Sequence, residues 1–154
     1  MAVKDIVTGE KNARLRRKSR PVTAIDKKLI RLLDDMRETM REHDGIGIAA
    51  PQVGVLRRVV VVDAGEDVLE LINPVLLLEE GRQTEEEGCL SLPDRRGIVA
   101  RPQKAVVSAY DRRGNLIEYT GEGMLARVFS HEIDHLDGVL FVDKMIREVF
   151  AEKK

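Results

Sequence analysis

Residues 131–135 read His-Glu-Ile-Asp-His and hold two of the three histidines in a chain of 154 residues. An α-helix turns about 100° per residue, so side chains at i and i+4 stand one above the other on one face. Two neutral imidazoles placed in this way can grip one metal ion, while Glu132, beside the first, can act as a base toward water. The plainer alternative is a pair of histidines favoured by the negative end of a helix. Burial weighs against it. Leu125, Val128, Phe129, Ile133 and Leu136 surround most of this helix with apolar character, and an unpaired buried polar group costs several kcal/mol. A metal and the groups around it would satisfy these polar side chains together.

Two imidazoles do not complete a site. Downstream, Asp137, Asp143 and Glu148 are candidates for a third ligand, none of them compelling. Upstream, the stretch "EEEGCLSLPDRRG" holds the only cysteine, Cys89. A lone cysteine is often a small buried hydrophobe, but acidic residues, a glycine and a strand-like segment surround this one. A thiolate with two imidazoles leaves a fourth position for water, the mark of a catalytic rather than a structural site. With a divalent ion the set carries a net charge of +1, enough to acidify water and polarise a carbonyl.

A third stretch, "GIGIAAPQVG" (45–54), is rich in small residues. It lacks the Lys-Ser/Thr of a phosphate loop and precedes a strand, so nucleotide binding is excluded. Small side chains would instead let a substrate backbone approach closely. The amide of Gln52 could donate to a carbonyl oxygen that becomes negative in the transition state.

These residues need elements to position them. Positions 23–43 are predicted as a surface helix, starting at Thr23 with Asp26 three residues on. Its apolar stripe would be Ile25, Leu29, Leu32, Met36 and Met40, and Gly45 would end it. Residues 45–54 read as a loop. The valines of "RRVVVVDAG" (57–65) suit a strand. "VLELINPVLLLEEG" (68–81) reads as two short strands broken at Asn73-Pro74. "KAVVSAYDRRGNLIEYTG" reads as a hairpin turning at Gly114. The helix carrying the histidines would begin near 121–124 and run to Leu136, with Gly138 as its stop. "FVDKMIREVFAEKK" reads as a short, partly apolar tail. The expectation is a single α+β domain over 1–154, in which mainly antiparallel sheets pack around the central metal-binding helix, with a further helix near the N-terminus.

The formal net charge of −1 gives no global attraction to nucleic acid or anionic lipid. Specific DNA binding is not expected, and no apolar run approaches the ~20 residues of a membrane span. The single cysteine fits a reducing, cytoplasmic setting. One local bias remains: "KNARLRRKSR" (11–20) carries six basic residues and no acidic one. Such a run is either a solvated face or a contact with RNA.

Together, "GIGIAAPQ" (45–52), "EGCLS" (87–91) and "HEIDH" (131–135) resemble the three motifs of the peptide deformylase family, in the same order and over nearly the whole chain. The resemblance implies that Cys89, His131 and His135 hold one divalent metal, with Fe2+ favoured and Zn2+, Ni2+ or Co2+ able to substitute. It implies that Glu132 takes a proton from the attacking water and passes it to the leaving amine. Gln52 and the backbone N–H of Leu90 would bind the oxyanion, and Gly47 and Glu87 would position the substrate and the metal ligands. The substrate would be the formyl-methionyl end of nascent polypeptides, with formate released and transient ribosome contact. By their place beside the motifs, Ile46, Val128 and the stem of Arg127 would line a pocket for the methionine side chain, and Arg96 would flank the peptide entrance. Ser130 departs from the glutamine that this family usually carries before the first histidine. Two competing readings are a zinc peptidase of the HExxH type, which would take its third ligand downstream, and a non-catalytic module stabilised by a metal.

Overall fold

The computed structural model describes residues 2–150. Among these residues, four helices and eight strands form an α+β fold. The short helix α1 (Ala13–Arg16) precedes α2 (Lys27–Glu42). Asp26, not Thr23, caps α2: its side chain accepts from the Leu29 N–H at 2.9 Å. A capping side chain must sit just outside the first helical residue, which moves the start from Thr23 to Lys27. Leu33 is fully buried alongside Leu29, Met36 and Met40, while Leu32 and Ile25 are partly buried and pack against the same cluster. At the far end Asp44, not Gly45, takes the left-handed conformation (φ 53°).

Residues 45–54 are not simply a loop. Gly47–Ala49 form strand β1, followed by a 3-10 turn at Ala50–Val53. β1 pairs antiparallel with β2 (Val59–Asp63). The sequence from 68 to 81 is one strand, β3 (Val68–Glu80), rather than two. A register shift between Ile72 and Val75 absorbs the Asn73-Pro74 pair, with Asn73 at φ 53°. A bulge takes up residues that cannot join the ladder without ending it. The hairpin of β4 (Gln83–Cys89) and β5 (Leu92–Arg101) follows. Next come β6 (Lys104–Tyr110) and β7 (Leu116–Glu122), which turn at Gly114 as expected. Helix α3 (Met124–Leu136) carries the histidines. The segment after it is structured too: α4 (Phe141–Lys144) leads into β8 (Met145–Val149), which pairs with β5. Residues 151–154 of the expected tail lie outside the described residues.

The strands form a five-stranded antiparallel sheet, β1-β2-β3-β6-β7, and a three-stranded antiparallel sheet, β4-β5-β8. The valines of β2 explain the layering. Val60 and Val62 pack toward Phe129, Ile133 and Leu136 of α3, whereas Val59 and Val61 pack toward Leu33 and Met36 of α2. A strand covered on both faces is continuously apolar instead of alternating. Thus α3 lies across one face of the large sheet, with the smaller sheet beside it. A third apolar cluster joins Val7, Leu15, Leu92, Val99, Leu140 and Phe141. No helix among the described residues is long and apolar enough to cross a membrane.

Candidate active site

Three elements bring Gln52, Cys89, His131 and Glu132 to the wall of one cavity of about 640 Å³, with His135 buried beside Cys89. Helix α3 presents His131 and His135 on one face with ring centroids 5.2 Å apart. Cys89 ends β4, where a register shift after Gly88 turns the chain toward that helix. The Cys89 Sγ lies 3.3 Å from His135 Nε2. One ligand atom from each of Cys89, His131 and His135 lies within 4.8 Å of the other two. Asp137, Asp143 and Glu148 are engaged elsewhere, with Arg58, Arg16 and Arg95 respectively.

The environment suits a divalent cation. His131 Nδ1 is 2.8 Å from Glu87 Oε1, which fixes the ring and leaves Nε2 for the site. Burial opposes a charge on His131, but Glu132, Cys89 and Glu87 outweigh it and hold its pKa well above the usual histidine value. The surroundings therefore call for a positive charge at this point. A bound cation would supply that charge while leaving the imidazole neutral. Burial, with His131 and Arg101 nearby, holds His135 well below its ordinary value, which is the neutral form that a metal needs. The soft sulfur and two imidazoles form a donor set suited to zinc, iron, nickel or cobalt rather than calcium or magnesium.

Glu132 is buried, and its Oε1 has no hydrogen-bond partner among the described residues. Burial pushes its pKa up to about 7, with His131 working against that shift and Glu87 for it. A carboxyl near neutrality both takes and returns protons at physiological pH. Gly47 allows the helix this close. A Cβ there would lie 2.8 Å from Val128 Cγ1 and 2.9 Å from Glu132 Oε2. Gln52 is fixed at both ends of its amide: Oε1 accepts from the Ala49 N–H at 2.9 Å, and Nε2 reaches Ser91 Oγ at 3.2 Å and Cys89 Sγ at 3.5 Å. Its donor thereby faces the cysteine.

Ile46, Gly47, Gln52, Glu87, Leu90, Arg96 and Val128 all line the same cavity as Cys89, His131 and Glu132. The apolar wall also includes Met124, Leu92 and Pro93. Arg96 stands exposed, paired with Glu86 at 2.8 Å. The Glu87 carboxylate has two tasks: it accepts two bonds from Arg101, at 2.9 and 3.0 Å, besides holding His131. Burial raises its pKa, but the bonds to His131 and Arg101 bring it down to about 2.

Sequence reasoning missed Arg101. Its side chain is 1% exposed, and it also reaches Asp134 Oδ2 at 2.7 Å and Ser130 Oγ at 3.2 Å. The available signal was its phase: Gly97, Val99 and Arg101 alternate onto the inward face of β5. Ser130, at the position where glutamine is usual, thus serves as an acceptor for that guanidinium.

Comparison with known proteins gives a consistent result. The family model described as "Polypeptide deformylase" matches residues 3–150. The chain is 59% identical over 140 residues to the peptide deformylase of Caldanaerobacter subterraneus subsp. tengcongensis, covering 91% of this chain and 87% of that protein. It is 55% identical over 153 residues to that of Caldicellulosiruptor bescii, covering 99% and 92%. The crystal structure of peptide deformylase from Thermotoga maritima superposes with a TM-score of 0.91 at 38% identity, covering 96% of this chain and all of that one.

Proposed function

This chain belongs to the polypeptide deformylase family, and we propose from its geometry how its residues divide the work. It is a hydrolase that removes the formyl group from N-formyl-methionyl peptides, releasing formate and a free amino terminus. In the proposed division, Cys89, His131 and His135 hold one divalent cation, favoured as Fe2+, with Zn2+, Ni2+ or Co2+ as substitutes. When bound, the cation supplies Lewis acidity that polarises the formyl carbonyl and makes water more acidic. Glu132 takes the proton of the attacking water and delivers it to the departing nitrogen, so that the C–N bond breaks as the amine becomes neutral. The Gln52 amide N–H and the Leu90 backbone N–H stabilise the negative oxygen of the tetrahedral state. Ile46 and Val128 offer the methionine side chain an apolar wall, and Gly47 admits the peptide backbone near Glu132. Arg96 flanks the entrance, and Glu87 orients His131.

The observation that carries this reading is the convergence of one sulfur and two imidazoles beside a buried carboxylate whose Oε1 has no hydrogen-bond partner among the described residues. An HExxH peptidase with a downstream ligand is disfavoured, because Asp137, Asp143 and Glu148, the downstream candidates, are paired with arginines. A purely structural metal site would have no use for Glu132 or Gln52. The proposal extends to a single catalytic domain over 1–154, a cytoplasmic location and transient contact with ribosomes. The decisive experiment is formate release from a formyl-methionyl peptide by anaerobically prepared protein. Glu132→Ala should abolish turnover while retaining the metal, and undiminished turnover in that variant would reject the assigned role.

A further inference from the structure

The basic run at residues 11–20 is held on the protein in a way that sorts its charges. Leu15 and Ser19 are buried. The Ser19 N–H donates to the Leu136 carbonyl at 2.7 Å, the Arg20 N–H to that of Leu56 at 3.1 Å, and the Arg58 N–H to that of Arg20 at 3.0 Å. The segment is therefore clamped between the end of α3 and the start of β2. Arg16 turns inward, with Nε donating to the Glu10 carbonyl at 2.6 Å and its guanidinium paired with Asp143. Lys11, Arg14, Arg17, Lys18 and Arg20 remain exposed and, among the described residues, have no ion pair. Elsewhere, Arg37, Arg58, Arg95, Arg96, Arg101 and Arg112 are all neutralised by carboxylates. Other described lysines and arginines also lack an ion pair, Lys27, Lys28, Arg31 and Arg57 among them, but they are spread along the chain, so unpaired positive charge is densest in sequence within 11–20, on a chain whose formal net charge is −1.

We propose that this segment is a docking surface for the phosphate backbone of a folded RNA. Five cations within ten residues complement a regular array of single negative charges, and arginine's fork suits phosphate oxygens. The clamped backbone means that little chain entropy is lost on binding. No aromatic residue lies in the run, so there is nothing to stack on bases, and the contact responds to charge and shape rather than to sequence. The segment lies at the Leu136 end of α3, whereas the cavity is lined by Met124, Arg127, Val128, His131 and Glu132 of that helix. From Glu132, the cavity residue nearest that end, the helical rise to Leu136 is roughly 6 Å. No residue of 11–20 lines the cavity, so the cations themselves do not occupy the peptide's place. Resting on the deformylase reading, the surface keeps the enzyme beside the RNA-rich particle from which formyl-methionyl chains emerge.

The test uses metal-loaded protein, a labelled RNA duplex followed by anisotropy, and co-sedimentation with ribosomes. Five phosphate contacts give a log–log salt slope of about −4.5, so affinity should fall roughly 500-fold between about 50 and 200 mM salt. The variant K11E/R14E/R17E/K18E/R20E should lose both binding signals. The milder R17Q/K18Q, which keeps the buried anchors, should melt like the wild type and flatten the slope by about 2. Both should hydrolyse a formyl-methionyl tripeptide with wild-type kcat/KM. Absent binding, an unchanged slope in R17Q/K18Q, or tighter binding to anionic lipid vesicles than to the duplex would overturn the proposal. Salt-dependent duplex binding by a protein that fails to hydrolyse the tripeptide would uphold the docking surface and count against the deformylase reading alone.

Discussion

Arg101→Met removes the guanidinium that donates to Glu87 and leaves the side-chain volume nearly unchanged. In the native protein the guanidinium donates twice to Glu87, once to Asp134 and once to Ser130, and it is almost wholly shielded from solvent. Stripping one partner from a buried pair leaves an uncompensated charge and costs about 3–5 kcal/mol. For a protein of this size each kcal/mol moves Tm by roughly 2–4 °C, so the loss should be on the order of 6–20 °C. A second effect reaches the metal. Glu87 fixes His131 through Nδ1, and disturbing such an outer partner typically weakens metal affinity about 10–100-fold. The pH dependence should change as well. Native Glu87 titrates at about 2, below its ordinary value of 4.5, so its contribution to stability is complete above 4.5 and is lost as pH falls toward 2. In Arg101→Met that carboxyl titrates higher, and acid unfolding should begin at a higher pH. Thermal melts with chelator competition measure both effects. Adding Glu87→Gln removes the stranded charge, so the double variant should recover part of the lost stability. Arg101→Met with a wild-type melt and wild-type metal affinity would refute the reasoning.

Gly47→Ala places a methyl group against Val128 and Glu132. Turnover of a formyl-methionyl peptide should drop about 100-fold from displacement of the base, with Tm shifted by only a few degrees. Gln52→Glu keeps an acceptor for the Ala49 N–H but deletes the donor facing Cys89, so kcat should fall roughly 10²–10³-fold in steady-state assays while the melt is little changed. Glu70 is buried between Arg112 and Arg37, whose hydrogen bonds outweigh burial and lower its pKa. Glu70→Gln should therefore lower Tm at neutral pH, and the gap to wild type should narrow as acid protonates the native carboxylate, as calorimetry across the acid range would show.

The chemistry was more legible than the geometry that supports it. His131, Glu132 and His135 announce themselves by helical spacing, and the expected helix from near 121–124 to Leu136, stopped by Gly138, matches α3. Gly138, at φ 75°, sits so close to Arg16 that a Cβ would lie 2.3 Å from that residue's carbonyl oxygen. What stayed hidden depends on distant partners. Gly47–Ala49 become a strand only because Val60–Val62 offer an edge, and Met145–Val149 only because β5 does. Local propensity carries neither signal. Asn73-Pro74 looked like a break because Pro cannot donate, yet a bulge next to paired neighbours tolerates it. Arg101 was missed because a charged residue in a strand reads as outward-facing until its carboxylate partners, fourteen and thirty-three positions away, are known.

The central claim is that one sulfur and two imidazoles hold the same cation. X-ray absorption on the zinc-loaded protein tests it directly. The spectrum should contain a single sulfur at about 2.3 Å and imidazole nitrogens at about 2.0–2.1 Å, with the sulfur scatterer absent in Cys89→Ala. An active, metal-loaded protein without sulfur scattering, or with a spectrum that Cys89→Ala leaves unchanged, would contradict the account.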